Sequence, residues 1–284
     1  MLKKLLFAAV AALVAASCSK TSSQMAPVSV HVEDFRITVD HISDTKSVGD
    51  LTDYEDVKAI TLAFYDGTTE LYKATQYYGD AGFGTFNCSL PVGSAKMVVL
   101  GYGFFTDDVL TLTSPTVAAF TSDHVRETFS CVKDVTVSGT STNNFSATLE
   151  RIVSKLIVIS SDTKIEGAAK IRMSFSSSSK AFNPTTGLAS GTSGFSNTVN
   201  VSSAVGAVSS SVSFLFLNSD EQDLDVTISV LNSSGDPIVS KTVTGVPFKR
   251  NRCTQLTGPV YTPLASASSF QLDPAWLTQE EVTF

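Results

Sequence analysis

The chain has 284 residues, which is long enough for two domains of ordinary size. Only 17% of the residues are charged, 43% are hydrophobic, and the apolar runs are short, which favours an all-β protein. The net charge of −7 argues against nucleic acid as a partner, because phosphate binding needs clustered Lys and Arg and the one such cluster is Lys249–Arg252.

The first residues are typical of a secretory signal. Lys3 and Lys4 form a short basic region, and the apolar run from Leu5 to Ala16 is too short to span a membrane as a helix. The pattern predicts a signal peptide over residues 1–17.

The end of this signal resembles a bacterial lipobox. Ala15-Ala16-Ser17 places small residues immediately before Cys18, which suits cleavage and acylation at that cysteine. Several acyl chains give stable anchoring, so we expect a lipidated tether over residues 18–26. The alternative is a plain signal peptide with an incidental cysteine.

The first half of the chain reads as short strands separated by turn residues. Val28, Val30 and Val32 alternate with polar residues, and the parity changes at Glu33-Asp34, which predicts a strand with a bulge or break. Asp66-Gly67 is a turn signal inside a hairpin over residues 57–78. The number of short strands predicts a β-sandwich over residues 27–146.

Two cysteines of this half, Cys88 and Cys131, lie in predicted strands. An exported protein can keep a disulfide, and these two are the plausible pair within one domain. The alternative, which we favour, is two buried thiols that pack as small hydrophobes, because spacing alone cannot show that their Cα atoms are close.

The run from Asn143 to Ser160 is the longest stretch with a strong strand signal, and it lies near the middle of the chain. It alternates at first and is then apolar at Leu156, Ile157, Val158 and Ile159, which predicts burial on both faces. We interpret it as a strand at the join between two domains.

The second half predicts another sandwich, over residues 147–284. Leu224, Val226, Ile228 and Val230 alternate cleanly with polar residues. In Lys249-Arg250-Asn251-Arg252 the charges alternate with apolar neighbours, so we expect them on the wet face of a strand at or near an edge, where charges resist unwanted pairing.

Four segments carry a resemblance to a known family. They are Leu149-Glu150-Arg151-Ile152-Val153-Ser154-Lys155, the run Arg250-Asn251-Arg252-Cys253-Thr254-Gln255-Leu256-Thr257-Gly258, Leu90-Pro91-Val92-Gly93 and Asp273-Pro274-Ala275-Trp276. They resemble motifs of the fimbrillin-like proteins of Bacteroidetes, most closely the FimB/Mfa2-type anchoring or minor subunits of type V fimbriae.

The resemblance implies two tandem transthyretin-like β-sandwich domains, export as an outer-membrane lipoprotein, and assembly with other fimbrial subunits by strand complementation. It also implies that a protease can cut after an arginine near the lipidated end. Arg36 is the one arginine between Cys18 and Arg126, so it is the candidate site. We favour an intact strand, because Arg36 lies inside the strand pattern.

The sequence offers no catalytic motif. His31, His41 and His124 are the only histidines, and none has the spacing of a metal ligand pair. We therefore expect no enzyme activity, no metal and no cofactor.

Two functions fit these observations. The first is a lipid-anchored anchor, accessory or tip subunit of a type V pilus in cell adhesion, located at the outer membrane, cell surface or fimbrium. The alternative is a stand-alone surface lipoprotein that binds glycan or host protein without assembling, for which aromatic side chains such as Tyr77, Tyr78, Phe104 and Phe105 could stack on a sugar.

Overall fold

The computed structural model describes residues 24–38, 45–47, 57–103, 109–262 and 271–272, and within these ranges the chain forms β-strands and no helix. The all-β prediction is therefore confirmed. The strands of the first half are β1 Met25–Thr38, β2 Thr45–Ser47, β3 Ala59–Asp66, β4 Thr69–Tyr77, β5 Thr85–Pro91, β6 Gly93–Tyr102, β7 Leu110–Ser114, β8 Val117–Phe120, β9 Thr128–Val137 and β10 Asn143–Arg151. Those of the second half are β11 Ser154–Ser160, β12 Lys170–Phe175, β13 Ala181–Asn183, β14 Leu188–Ala189, β15 Phe195–Asn200, β16 Ser210–Leu215, β17 Glu221–Leu231, β18 Pro237–Lys249, β19 Cys253–Gly258 and β20 Gln271–Leu272.

The first half is a sandwich made by one folded sheet. Its hydrogen-bonded order is β2-β1-β10-β9-β6-β3-β4, with β5 also paired to β1. The strands β9 and β10 pair at only two positions, Glu150 with Ser130 and Arg151 with Phe129, so the sheet can turn there from one layer to the other. Side chains from β1, β5 and β10 share one apolar core with side chains from β3, β6 and β9.

The second half is a sandwich of two separate sheets. Their orders are β16-β11-β19-β20 and β15-β12-β17-β18. The alternation of Leu224, Val226, Ile228 and Val230 in β17 places these four side chains in the core between the sheets, where at most 2% of each is exposed.

A fourth sheet, made of short strands, joins the two halves. Its order is β14-β13-β8-β7, so two strands come from each half. It packs on the outer face of β3 and β6, around Phe120, Phe182 and Phe216, whose rings stack at centroid distances of 4.2 Å and 6.4 Å. Burial of these aromatic rings couples the two halves through a shared apolar cluster.

The central run is two strands rather than one. β10 ends at Arg151, β11 begins at Ser154, and the two residues between them, Ile152 and Val153, are buried in the shared cluster. The burial expected from Leu156 to Ile159 is confirmed for Leu156, Ile157 and Val158, each at most 9% exposed, but it is wrong for Ile159, which is only half-buried. The domain division 27–146 and 147–284 stays a proposal; β10 continues past residue 146 in the first sheet, and the chain changes sheets at Ile152–Val153.

Two local predictions of the first half are confirmed. The register of β1 against β10 shifts between Val32 and Asp34, which is the bulge expected at the acidic pair. The hairpin of β3 and β4 turns at Gly67, whose φ of 58° is a conformation that glycine adopts without strain.

Candidate functional site

The first strand lies in the interior of its sheet. β1 pairs in parallel with β10 on one side, and on the other side it pairs antiparallel with β5 along its first part and with β2 at its end. Val30 and Phe35 are fully buried, and Val28 and Val32 are at most 3% exposed. β1 therefore completes both the hydrogen bonding and the core of the first sandwich.

The layer opposite β1 leaves space for a β1 side chain at Gly101. A Cβ atom added at Gly101 in β6 would lie 2.8 Å from the Phe35 ring and 3.0 Å from the Leu149 side chain. The missing side chain lets Phe35 reach the opposite layer, where its ring packs edge-on against Phe129 at 5.0 Å. Loss of β1 would leave this pocket empty and the edges of β10 and β5 without their partner.

Arg36, the candidate cleavage site, belongs to this strand. Its backbone is paired with Glu150 of β10 and with Ser47 of β2. A protease needs an extended and accessible backbone, so cutting here requires that both neighbours first separate from β1. The intact strand that we favour and its alternative, cleavage after Arg36, both stay predictions, and so does acylation of Cys18, which lies outside the described residues.

The seam between the halves is formed by two of the family-like motifs. The term seam is used here for the cluster of side chains formed by Glu127, Arg151, Arg250, Asn251 and Arg252. Arg151 donates through Nε to Asn251 Oδ1 at 2.8 Å and through a terminal nitrogen to Glu127 Oε1 at 3.0 Å. The Arg151 and Glu127 side chains are only 14% and 9% exposed, so this ion pair is shielded from water.

The basic motif was wrongly expected on a strand. Arg250-Asn251-Arg252 forms the turn between β18 and β19, and Asn251 has a φ of 61°, in the left-handed region that Asn tolerates better than most residues. The Asn251 N–H donates to the Val153 carbonyl and the Arg252 carbonyl accepts from the Lys155 N–H, so the turn is hydrogen-bonded to the chain where it leaves β10. Turn chemistry and the contact with Arg151 decide this conformation, and neither is visible in the alternation of charges.

A groove opens beside the seam. It has a volume of about 490 Å³ and is lined by β9, β10, the segment Pro184–Gly187 and Arg250. Arg250 donates to the Thr186 carbonyl at 2.7 Å and pairs with Asp220 at 2.9 Å. The Arg250 charge beside the groove is thus held by protein partners.

The three cysteines of the described chain are free thiols. Cys131 is buried, Cys88 and Cys253 are half-buried, and burial raises the pKa of each thiol. Protonated thiols react slowly, so Cys88 and Cys131 have the character of small core hydrophobes. Cys88 and Cys131 are thus separate thiols in this structure, and an oxidised form with a bond between them stays the alternative prediction.

The described histidines have ordinary hydrogen-bond partners. His31 lies 3.0 Å from the Thr85 hydroxyl, and His124 Nε2 lies 2.7 Å from the Thr198 carbonyl oxygen. In the described ranges no group of three or more His, Cys, Asp or Glu side chains could hold a metal ion. The same ranges contain no helix that is long and apolar enough to cross a membrane.

Several solved structures are similar to this chain, among them two from Bacteroides species. A candidate adhesin from Bacteroides ovatus superposes with a TM-score of 0.51 at 10% identity, covering 85% of this chain and 88% of its own. A candidate polysaccharide-binding protein from Bacteroides thetaiotaomicron gives a TM-score of 0.51 at 12% identity, covering 87% and 95%. The alignment with the fimbrial anchor protein Mfa2 from Porphyromonas gingivalis covers 87% of this chain and 98% of Mfa2 at 9% identity, with a TM-score of 0.46.

These likenesses establish a shared fold, which is of the β-sandwich kind that the fimbrillin-like resemblance implies. The chain is thus an all-β protein with the tandem sandwich fold of these Bacteroides proteins. The profile of a family of unknown function, DUF6562, matches residues 102–281, and the chain belongs to that family. No curated protein matches its sequence.

Proposed function

We propose that this protein is a lipid-anchored surface protein that acts as an anchor, accessory or tip subunit of a type V pilus in cell adhesion. The observation that carries the proposal is the position of β1, the strand nearest the tether, in the middle of the first sandwich. Subunits of a pilus can join by strand complementation, in which a strand of one chain fills a vacancy in the sheet of another. When the first strand of a chain occupies this position in its own sheet, the sheet nearest the membrane has no vacancy for a strand of another subunit.

This position favours a terminal role over a stalk role. An intact β1 keeps the first sandwich continuous with the tether and hence with the lipid at Cys18, which would hold the protein at the outer membrane. The partners in this proposal are other fimbrial subunits and the lipid bilayer. Neither catalysis nor a cofactor is part of it, because the described site is structural in character.

The proposal is tested by isolating the protein from surface-shaved material and identifying the chains that stay bound to it. We expect stably associated fimbrillin-like chains, retained in high salt because backbone pairing and apolar burial do not depend on surface charge. Recovery of the protein alone, with pili present in the same sample, would contradict assembly.

One observation favours the stand-alone alternative, in which the protein binds glycan. Tyr78 is 47% exposed. Lys58 Nζ lies 4.6 Å from the centroid of its ring, and the Phe83 ring packs edge-on against it at a centroid distance of 5.8 Å. A fixed, exposed ring of this kind can stack on a sugar. If this function is the right one, Tyr78→Ala should abolish binding to an oligosaccharide array, whereas Tyr77→Ala, at the exposed end of β4, should not.

A further inference from the structure

The strand β16 forms one edge of the second sandwich. It pairs antiparallel with β11, and no other described strand lies on its far side in the sheet. The Ser160 N–H donates to the Ser209 carbonyl, so the backbone groups of residue 209 face β11. Because backbone groups alternate between the two sides of a strand, the odd-numbered residues of β16 also face β11, and the even-numbered ones face away from the sheet.

The outward backbone groups of β16 are largely unused. Among the residues that the structure describes, none pairs with the N–H or C=O groups of Ser210 and Val212. The Phe214 carbonyl has only the hydroxyl of the preceding residue, at 3.4 Å. The open edge ends at Phe216, whose carbonyl accepts a hydrogen bond from the Ser178 hydroxyl at 2.6 Å. The three outward-facing residues before it thus offer a template for a further strand.

Other strand edges of the protein are protected. Lys73 donates to the Leu112 carbonyl on the edge of β7 at 3.3 Å, and His124 Nε2 lies 2.7 Å from the Thr198 carbonyl oxygen on the edge of β15. The edge strand β18 contains two prolines. Charged side chains and prolines are common means by which edge strands avoid pairing with another chain. β16 contains neither.

The chain around β16 is also uncharged. No Asp, Glu, Lys, Arg or His occurs from Ala181 to Ser219, although the whole chain has a net charge of −7. The same stretch contains exposed apolar side chains, since Val205, Val208 and Val212 are 62%, 60% and 37% exposed. Acidic surfaces repel one another, so an uncharged edge is where two copies of an acidic chain meet without repulsion. Pairing of β16 with itself brings no like charges opposite one another.

We propose that β16 is the interface through which two copies of this chain pair edge to edge. The two strands run antiparallel about a two-fold axis at Val212, so residue 212 lies opposite its own copy and residue 210 lies opposite residue 214 of the other copy. The outward N–H and C=O groups then satisfy one another, and the two sheets become continuous. The inference rests on the open edge and does not depend on the fimbrial role.

A cysteine at the two-fold axis tests the pairing directly. Val212→Cys is introduced into the full chain, which is purified in mild detergent under reducing conditions and then gently oxidised. The Cα atoms of the two copies of residue 212 would be about 5.5 Å apart, which lies within the range that a disulfide spans. We expect a covalent dimer whose peptide map shows a bond between the two copies of residue 212.

Two exposed positions control for register and for random collision. Ser210→Cys lies on the same face of β16, but the two copies of residue 210 would be roughly 14 Å apart along the strands. Ile238→Cys lies on the edge strand β18, where Ile238 is 42% exposed. The bond at residue 212 should form at least about tenfold faster than at either control. Equal rates at 210 and 212, or no bond at 212, would overturn the proposal.

Variants without a new thiol test the dimer in solution. Val212→Lys places two like charges opposite one another, and Val212→Pro removes an N–H that the chain's own sheet does not use. Both should raise the dissociation constant of the dimer at least about tenfold in light scattering over a range of concentrations, with the circular dichroism spectrum of the wild type. Ile238→Lys adds the same charge and should leave the constant unchanged.

Two results in solution would contradict the pairing of β16. A wild type that stays monomeric at every concentration would show that the edge is not used by a second copy. A dimer that both Val212 variants leave intact would assign the interface to another face of the molecule. Either result overturns the proposal.

Discussion

At the scale of single residues, the shielded ion pair at the seam is the contact with the clearest energetic consequence. Arg151 contacts both Glu127 and Asn251, and its replacement leaves a buried carboxylate without its partner. Removing one partner of such a pair costs about 3–5 kcal/mol, so Arg151→Ala should lower the free energy of unfolding by that amount in denaturant titrations.

The matched control is the exposed pair of Lys96 and Asp134, whose side chains are 33% and 83% exposed. Lys96→Ala should change the free energy of unfolding by at most about 1 kcal/mol, because water screens such pairs. If Arg151→Ala were as mild as Lys96→Ala, the seam would not be an energetic link between the halves.

Asp162 predicts how stability depends on pH. Burial alone would raise the pKa of its carboxyl. Hydrogen bonds from the Thr262 hydroxyl and from the N–H groups of Val260, Thr262 and Tyr261 outweigh this effect, so the pKa lies below its ordinary value. A lowered folded pKa means that this stabilisation is complete above the unfolded pKa of about 4 and is lost as the pH falls through the folded pKa.

Asp162→Asn should therefore lower the free energy of unfolding by about 1–3 kcal/mol at pH 7. In acid the wild type loses the same stabilisation, so the difference in the free energy of unfolding between the two proteins should become smaller. The measurement is the free energy of unfolding at a series of pH values from 7 downward, with Asp134→Asn as the control for an exposed carboxylate. If the difference in the free energy of unfolding stayed constant below pH 4, the charge of the Asp162 carboxylate would not be what strengthens its hydrogen bonds with residues 260–262.

At the scale of elements, the docking of β1 depends on the space left by Gly101. Gly101→Ala would bring a methyl group to 2.8 Å from the Phe35 ring, and overpacking of this kind costs about 1–3 kcal/mol. We expect faster amide hydrogen exchange in β1 together with a lower melting temperature. Gly191→Ala is the control, since its Cβ would lie 3.6 Å from Ser179, an ordinary contact; equal effects at both positions would remove Gly101 from the docking of β1.

The strands show which features the sequence predicts and which it does not. Alternation in β1 and β17 and the Asp66-Gly67 turn identify these elements, because side-chain period and turn conformation are local properties. The break of the central run at Ile152–Val153 is not predictable, since both residues are apolar and their burial comes from the apolar cluster that they share with strands distant in sequence. The same holds for Arg250–Arg252, where a charged turn imitates an amphipathic strand and only the contact with Arg151 separates the two.

At the scale of the whole molecule, the proposed tether predicts the distribution of the protein between cell fractions. Cys18→Ser removes the thiol that would carry the acyl chains. Stable anchoring needs several acyl chains, so the variant should not stay in the membrane. We expect the variant in the soluble envelope or medium fraction with an unchanged far-ultraviolet circular dichroism spectrum. A serine variant that stayed full-length in the membrane fraction would contradict lipidation.

The most direct measurement of the central claim, a tethered subunit that keeps its own first strand, is the chemical identity of its N-terminus in assembled surface material. Mass spectrometry of the N-terminal peptide should find an acylated Cys18 continuous with β1. A free terminus at Ile37 would contradict the claim, because it would show that the chain is cut after Arg36 and that the place of β1 in the sheet is left for another subunit.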